Sequence, residues 1–356
     1  MCRTTEFSGL SPVKARRGFV IGLLSMLALP SGCYNEPAEE LGVWSEFLAL
    51  DVVRTHWAAL DRFGADLYLA VGPEELNESL RVFLTDARVA GIEVRPWLQL
   101  RDEGIWTNEQ NAAAFADYAR EFLLWAEENG VPVEWIIIDL EPSLAYAQEL
   151  RRTAEAEGIF AAVDLLGEHR DAEGFAAARE VLRDMVDEVH RRGFQAMAVT
   201  LPWTIDDLGD GDPDVQDMFD TPLAEVSWDR VGVMVYRPFF SDVFGVPLSP
   251  GYVARYSESM RFWYPDAAHV AVGNISTAGV MVPPGYTEPL DLALDVSAAR
   301  SAGIDSISVF SLDGMVLEGG PEAWLAAATG PTLRYGYPDC LTPLVRGAVQ
   351  VLDALP

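Results

Sequence analysis

From Trp44 onward the chain alternates short, nearly continuous apolar runs with longer stretches whose apolar residues recur every three or four positions. Continuous runs fit parallel strands covered on both faces, and the wider spacing fits helices with one buried face. Eight runs are predicted as strands: Glu46–Asp51, Asp66–Val71, Glu93–Leu98, Glu134–Asp139, Gln195–Thr200, Gly232–Tyr236, Val270–Asn274 and Ser306–Ser311. Leu76, Leu80, Phe83 and Ala87 share one face of a helix that stops at Gly91. Ala112, Phe115, Ala119, Phe122 and Ala126 do the same before Asn129-Gly130, with Thr107 read as the N-cap and Gln110 in the capping-box position. Gly64, Gly193 and Gly303 mark further helix-to-strand joints.

Eight strands alternating with helices across residues 44–330 match the count and length of an α/β (β/α)8 (TIM) barrel. The competing doubly wound sheet lacks a Gly-x-Gly-x-x-Gly after its first strand. Two connections are long, Ser143 to Arg192 (which includes a helix over Phe175–Arg192) and the acidic, irregular stretch from Leu201 to Asp229. In a barrel, long loops after strands shape the site. Residues 331–356 are expected to pack outside the barrel as a C-terminal extension.

The first 33 residues read as an export signal. Arg3, Lys14, Arg16 and Arg17 precede the apolar run Gly18–Leu29, which ends at Pro30, Ser31, Gly32 and Cys33. Gly32-Cys33 resembles a bacterial lipoprotein signal, although Pro30 stands where Leu is usual. That resemblance implies lipidation at Cys33, a tether over residues 34–43, and anchoring in the cell envelope or periplasm. Arg16-Arg17 also resembles a twin-arginine signal, and an ordinary cleaved secretory peptide is the alternative.

Composition narrows the chemistry. The chain has 356 residues, with Lys+Arg 25 against Asp+Glu 55 and a net charge of −30, which argues against a nucleic-acid partner. Lys14 is the only lysine, and it falls in the leader, so lysine Schiff-base and P-loop chemistry are excluded. The four histidines are scattered, and no Gly-x-Ser-x-Gly elbow occurs. Neither a cofactor nor a metal is expected. The Asp-rich stretch 206–217 fails the EF-hand spacing at Val215 and Thr221 and reads as a solvated loop. Once Cys2 and Cys33 are set aside with the leader, Cys340 is alone, so no disulfide framework is expected.

The sharpest motif is Trp135-Ile-Ile-Ile-Asp139-Leu140-Glu141-Pro142 at the end of the fourth strand. Strand alternation points Asp139 and Glu141 the same way, into the barrel mouth. Two close carboxyls disfavour double ionisation, which leaves an acid beside a carboxylate, the pair that glycosidic cleavage uses. The structural alternative is Asp139 capping the next helix with Glu141 solvated.

This D-x-E resembles that of glycoside hydrolase family 18, and Met234-Val235-Tyr236 resembles that family's M-x-Y segment. The resemblance implies Glu141 as general acid, Asp139 orienting a substrate 2-acetamido group, and Tyr236 hydrogen-bonding that group. Departures from the pattern occur at Glu134, Ile137 and Arg237, and in strand eight, where Val309-Phe310-Ser311-Leu312-Asp313 lacks the usual Trp. Family 25 muramidases also carry a D-x-E on a barrel strand, so peptidoglycan stays open as a substrate. A catalytically silent barrel lipoprotein that binds a glycan or another partner is the other alternative. Trp97, Gln99, Arg101, Trp203 and Asn274 at strand ends suit sugar faces and hydroxyls. Arg237 is expected to neutralise the carboxylates or to pair with loop 206–229. Asp51, as the end of strand one, and Asp313 are candidate third carboxylates for a substrate without an acetamido group.

Overall fold

The computed structural model describes residues 40–100, 105–209, 211–276, 284–333 and 339–353. Cys33, the export segment and Arg101 lie outside the described residues. Eight strands, β1 (Glu40–Ser45), β2 (Ala65–Val71), β3 (Val94–Leu98), β4 (Trp135–Leu140), β5 (Gln195–Thr200), β6 (Arg230–Met234), β7 (Ala268–Gly273) and β8 (Ser306–Phe310), close a parallel barrel in chain order. The register sets Trp44 beside Tyr68, Trp97 beside Ile137, and Asp139 beside Val199. Val43 pairs with Val309 to close the ring.

The helices are α1 (Leu50–Arg54), α2 (Trp57–Phe63), α3 (Glu78–Val89), α4 (Ala112–Glu128), α5 (Leu144–Glu157), α6 (Ile159–His169), α7 (Ala172–Arg191), α8 (Pro202–Asp206), α9 (Asp214–Met218), α10 (Arg237–Val243), α11 (Pro250–Trp263), α12 (Pro289–Ser301), α13 (Leu312–Leu317), α14 (Glu322–Ala328) and α15 (Thr342–Asp353). Among the described residues no helix is long and apolar enough to cross a membrane. Outward strand residues such as Ile136, Ile138, Val231 and Val270 pack with Phe83, Phe122, Leu182 and Val296 of the helices in one apolar core. Alternate residues fill the barrel instead: Trp44, Tyr68, Trp97, Trp135, Ile137, Met197 and Val199. Burying such side chains contributes about 1.5–3 kcal/mol for each large aliphatic or aromatic group.

The first strand departs from expectation. It precedes the run Glu46–Asp51 and takes up the end of the segment expected to be a tether. The apolar residues 47–53 lead into and form helix α1 instead, so Asp51 sits exposed in a helical first turn and not at a strand end. Gly42 inside β1 is required by packing, because a Cβ there would lie 2.3 Å from Cζ of the buried Tyr68 ring. Strand β6 also begins earlier than expected, at Arg230, and ends before Tyr236.

The N-terminal end of the barrel is sealed by charge. Arg95 bonds Glu40 at 2.5 Å and Asp66 at 3.0 Å, and Arg230 bonds the same Glu40. Both guanidinium groups lie over Trp135, at 4.9 and 5.1 Å from its ring centroid. Burial pushes the Glu40 carboxyl up, but the Arg230 hydrogen bond and the nearby Arg95 charge outweigh it and hold it at about 2. Above this seal the buried His269 stays neutral, lowered to about 3 by burial, with its ring nitrogens against Ser306 and Ser308. The aromatic fill above leaves the opposite end as the place for chemistry, as the fold itself favours.

Two further expectations need correction. Helix α4 starts at Ala112, and Thr107 does not cap it; Thr107 instead pairs with β4. The acidic stretch 206–217 is not simply solvated. Asp207 is 1% exposed and accepts from the Val215 amide at 2.9 Å and the Gln216 side chain at 2.7 Å, since buried backbone N–H groups require an acceptor. Helix α15, in the C-terminal extension, is tied to α8 through Arg346 and Asp206, 2.6 Å apart.

Candidate active site

The motif on β4 stands where alternation predicts. Thr107 extends the sheet by one bridge: its amide donates to the Asp139 carbonyl at 2.8 Å, and its carbonyl accepts from the Glu141 amide at 3.2 Å. Those two bonds fix both residues as they leave the strand. Asp139 does not cap a helix. Ser143 does so for α5, accepting from the Tyr146 amide at 3.3 Å. The Asp139 side chain is buried, 4% exposed, and no hydrogen-bond partner among the described residues reaches its Oδ1.

A third carboxyl joins this pair, and reading the sequence did not single it out. Glu46 directly follows β1, two positions beyond Trp44 and therefore on the inward side. It is 8% exposed, and Gln99 Nε2 donates to its Oε1 at 3.4 Å. The signal was parity with Trp44, hidden because the strand was placed six residues too late. Burial and then the Glu141 and Glu46 charges push the Asp139 carboxyl well above the usual carboxylate range. Burial and then Glu46 raise Glu141 to about 8. Burial also raises the Tyr236 hydroxyl, with Asp139, Glu141 and Glu46 adding to it. Tyr236 stays a neutral donor beside these acids.

Aromatic rings line the same end. Tyr236 stacks on Phe310 with centroids 5.6 Å apart at 30°, and Phe310 meets Trp97 edge-on at 6.5 Å. Phe310, at the end of β8, thus joins Tyr236 and Trp97 in one row of rings. Trp97 Nε1 and Asn274 Oδ1 are buried, and neither has a hydrogen-bond partner among the described residues. Together with Asp139 Oδ1 they provide a buried donor and two buried acceptors at strand ends. Unpaired buried polar atoms are costly, and sugar hydroxyls would satisfy such a set.

The remaining candidates go elsewhere. Asp313 is a clamp: its carboxylate accepts from the amides of Glu46 at 3.1 Å and Phe47 at 2.7 Å, joining the ends of β1 and β8. Phe47 itself is 59% exposed. Arg237 neutralises neither the D-x-E pair nor loop 206–229. It lies 2.8 Å from Asp295 of α12, which is fully buried, and over the Tyr286 ring. The fully buried Asp295 needs that partner, and Arg237 starts helix α10, which turns it away from the strand axis. Trp203 packs its ring on Phe219 and Phe240. Among the described residues no group of three or more His, Cys, Asp or Glu could hold a metal ion.

No family model matches the sequence, and no curated protein does. Solved structures show the fold. A GH18 chitinase from Pseudoalteromonas aurantia is similar with a TM-score of 0.50 at 11% identity, covering 81% of this chain and 98% of that one. The C-terminal domain of a putative chitinase from Desulfitobacterium hafniense is similar with a TM-score of 0.50 at 9% identity, covering 82% and 99%. The PgaB (BpsB) glycoside hydrolase domain from Bordetella bronchiseptica has a TM-score of 0.49 at 12% identity, covering 84% and 100%. At these identities the likeness is one of fold, a closed (β/α)8 barrel.

Proposed function

We propose that this chain is a glycoside hydrolase in which Glu141 is the general acid and Asp139 its partner. The observation that carries this reading is the pair formed by the buried Asp139 and the half-buried Glu141 at the C-terminal end of β4, with Glu141 raised to about 8. A carboxyl still protonated at neutral pH can give its proton to a leaving glycosidic oxygen. The aromatic floor of Phe310 and Tyr236 and the unpaired Trp97 and Asn274 atoms suit a sugar ring. N-acetylhexosamine-containing glycans are the substrate class that the family resemblance implies, with peptidoglycan among them. Glycoside hydrolase barrels among the similar structures support the reaction class. Export and lipid anchoring at Cys33 belong to the same proposal, because an envelope glycan would then lie within reach.

The test compares the purified full chain with its Glu141→Gln variant on chitin oligomers, peptidoglycan, and neutral α- and β-glucans, scoring new reducing ends. New ends from the wild type that disappear in the variant support the reading and name the substrate class. If neither protein cleaves but the wild type binds one glycan, the barrel is a binding module. Labelled palmitate incorporated by the wild type and not by Cys33→Ala would test the anchor.

A further inference from the structure

Proton delivery by Glu141 leaves open which group attacks the anomeric carbon. In the family that the D-x-E resembles, the substrate's own acetamido oxygen does so. This mouth contains a further buried acid that such a mechanism does not need. Along β1, inward positions alternate from Glu40 in the charged seal, through Gly42 under the Tyr68 ring, to Trp44 against Trp97 at 5.1 Å. Glu46 is the next inward position, one step above that aromatic layer. Its backbone is fixed by the Asp313 clamp, and Gln99 holds one carboxylate oxygen. Glu141 leaves β4, three strands around an eight-strand ring, so the two acids approach the mouth from different sides. Asp139, nine-tenths buried, presents an oxygen with no partner among the described residues to the same space.

We propose that Glu46 is a second catalytic carboxylate, the base that activates water on the sugar face opposite Glu141. This rests on the glycosidase reading above and replaces acetamido participation with direct displacement. Water oxygen bonds to the anomeric carbon and its proton passes to Glu46. The bond to the leaving oxygen breaks as Glu141 gives that oxygen its proton. One water is consumed, Glu46 ends protonated and Glu141 ionised, and exchange with solvent restores both. Asp139, whose carboxyl burial and then its charged neighbours push well above the usual carboxylate range, serves as a hydrogen-bonding partner to the substrate. Substrates with no 2-acetamido group then become hydrolysable, and the anomeric configuration inverts.

The experiment uses the full chain with 2,4-dinitrophenyl N-acetyl-β-glucosaminide and 2,4-dinitrophenyl β-glucoside, whose leaving group needs no acid. Glu141→Gln is expected to lose less on whichever probe the wild type accepts than it loses on oligosaccharides, because this leaving group departs without a proton. Glu46→Gln is expected to lose about 10²–10⁴-fold in kcat on that probe. Azide added to Glu46→Ala is expected to restore turnover and yield the α-glycosyl azide. Proton NMR of the wild-type reaction is expected to show the α anomer first. A Glu46→Gln variant within about threefold of wild type, while Glu141→Gln fails on oligosaccharides, makes Glu46 structural and overturns the proposal. A first-formed β anomer overturns it too. If Glu46→Gln does not fold, as judged by circular dichroism, Glu46→Asp takes its place, since it keeps the charge but withdraws the carboxylate. It must lower kcat with KM nearly unchanged. A wild type that turns over neither probe and cleaves none of the chitin oligomers, peptidoglycan or glucans refutes the glycosidase reading, and this proposal falls with it; where only oligosaccharides are cleaved, the same variants and the first-formed anomer are read on those.

Discussion

Replacing Glu141 by Gln is expected to remove activity and, at pH 8, to stabilise the fold. Burial and the neighbouring Glu46 charge raise this carboxyl from 4.5 to about 8 in the native protein. The unfolded chain has no such environment, so its Glu141 titrates near the ordinary value. Between those two values the native state holds a proton that the unfolded state has released, and stability therefore falls as pH rises. The contribution is fully present below about 4.5 and is lost by about 8. A shift of that size, at about 1.4 kcal/mol for each tenfold change in proton affinity, corresponds to about 5 kcal/mol for an isolated group. Asp139 and Glu46 interact with this group as it titrates, and Glu141 is half-buried and not fully withdrawn from water, so about 2–5 kcal/mol is expected. Gln resembles the protonated acid at every pH. The variant should match wild type at pH 4.5 and exceed it at pH 8 by about 4–10 °C in Tm, taking about 2 °C for each kcal/mol in a chain of this size. Thermal unfolding followed by circular dichroism across pH 4.5–9 reads this directly. Parallel curves for the two proteins would show that Glu141 ionises freely in the native state, and the general-acid assignment would lose its physical basis.

Other outcomes follow from the same structure. Activity, read as kcat/KM against pH, should decline above about 8 as Glu141 loses its proton, and Glu46→Gln should move that decline to lower pH in whatever activity remains. Arg237→Ala should cost about 3–5 kcal/mol in a urea titration, because it leaves the fully buried Asp295 without its guanidinium. Glycan binding by the folded fraction should be unchanged, and Arg237→Met combined with Asp295→Asn should recover most of the stability. Gly42→Ala should destabilise by about 1–3 kcal/mol, since the new methyl group would overlap the buried Tyr68 ring, and a lowered urea midpoint with an unaltered slope would register it.

The barrel was legible because seven of its strands are apolar runs of the right length between helical repeats, and parallel strands sheathed in helices demand that pattern. The first strand was not. Its sequence, Glu-Leu-Gly-Val-Trp-Ser, is interrupted by a glycine that only the packed Tyr68 ring explains, while the richer run beginning at Phe47 leads into a helix. That displacement carried a cost at the site. Asp51 was proposed as a third carboxylate where Glu46 stands, because side-chain direction in a strand depends on where the strand begins. The Asp139/Glu141 pair survived because β4 is an uninterrupted Ile run whose phase is unmistakable. Arg237 was misjudged for another reason. Its partner Asp295 lies on α12, far along the chain, and nothing local in the sequence reports that contact.

The seam between β1 and β8 bears on the order in which the molecule is built. Trp44 donates to Ser308, and the Glu46 and Phe47 amides rest on Asp313, across separations of 264 to 267 residues. A chain that ends anywhere between Glu141 and Asp313, still emerging from the ribosome or cut there, has the D-x-E motif but lacks the clamp that fixes the Glu46 backbone. The mouth is therefore the last part of the molecule to be assembled, and its geometry reports on nearly the whole polypeptide. Loop closure over such a distance is slow relative to local helix formation. Half-made or clipped copies would thus lack a finished mouth, so whatever chemistry that mouth performs becomes possible only once the chain is complete.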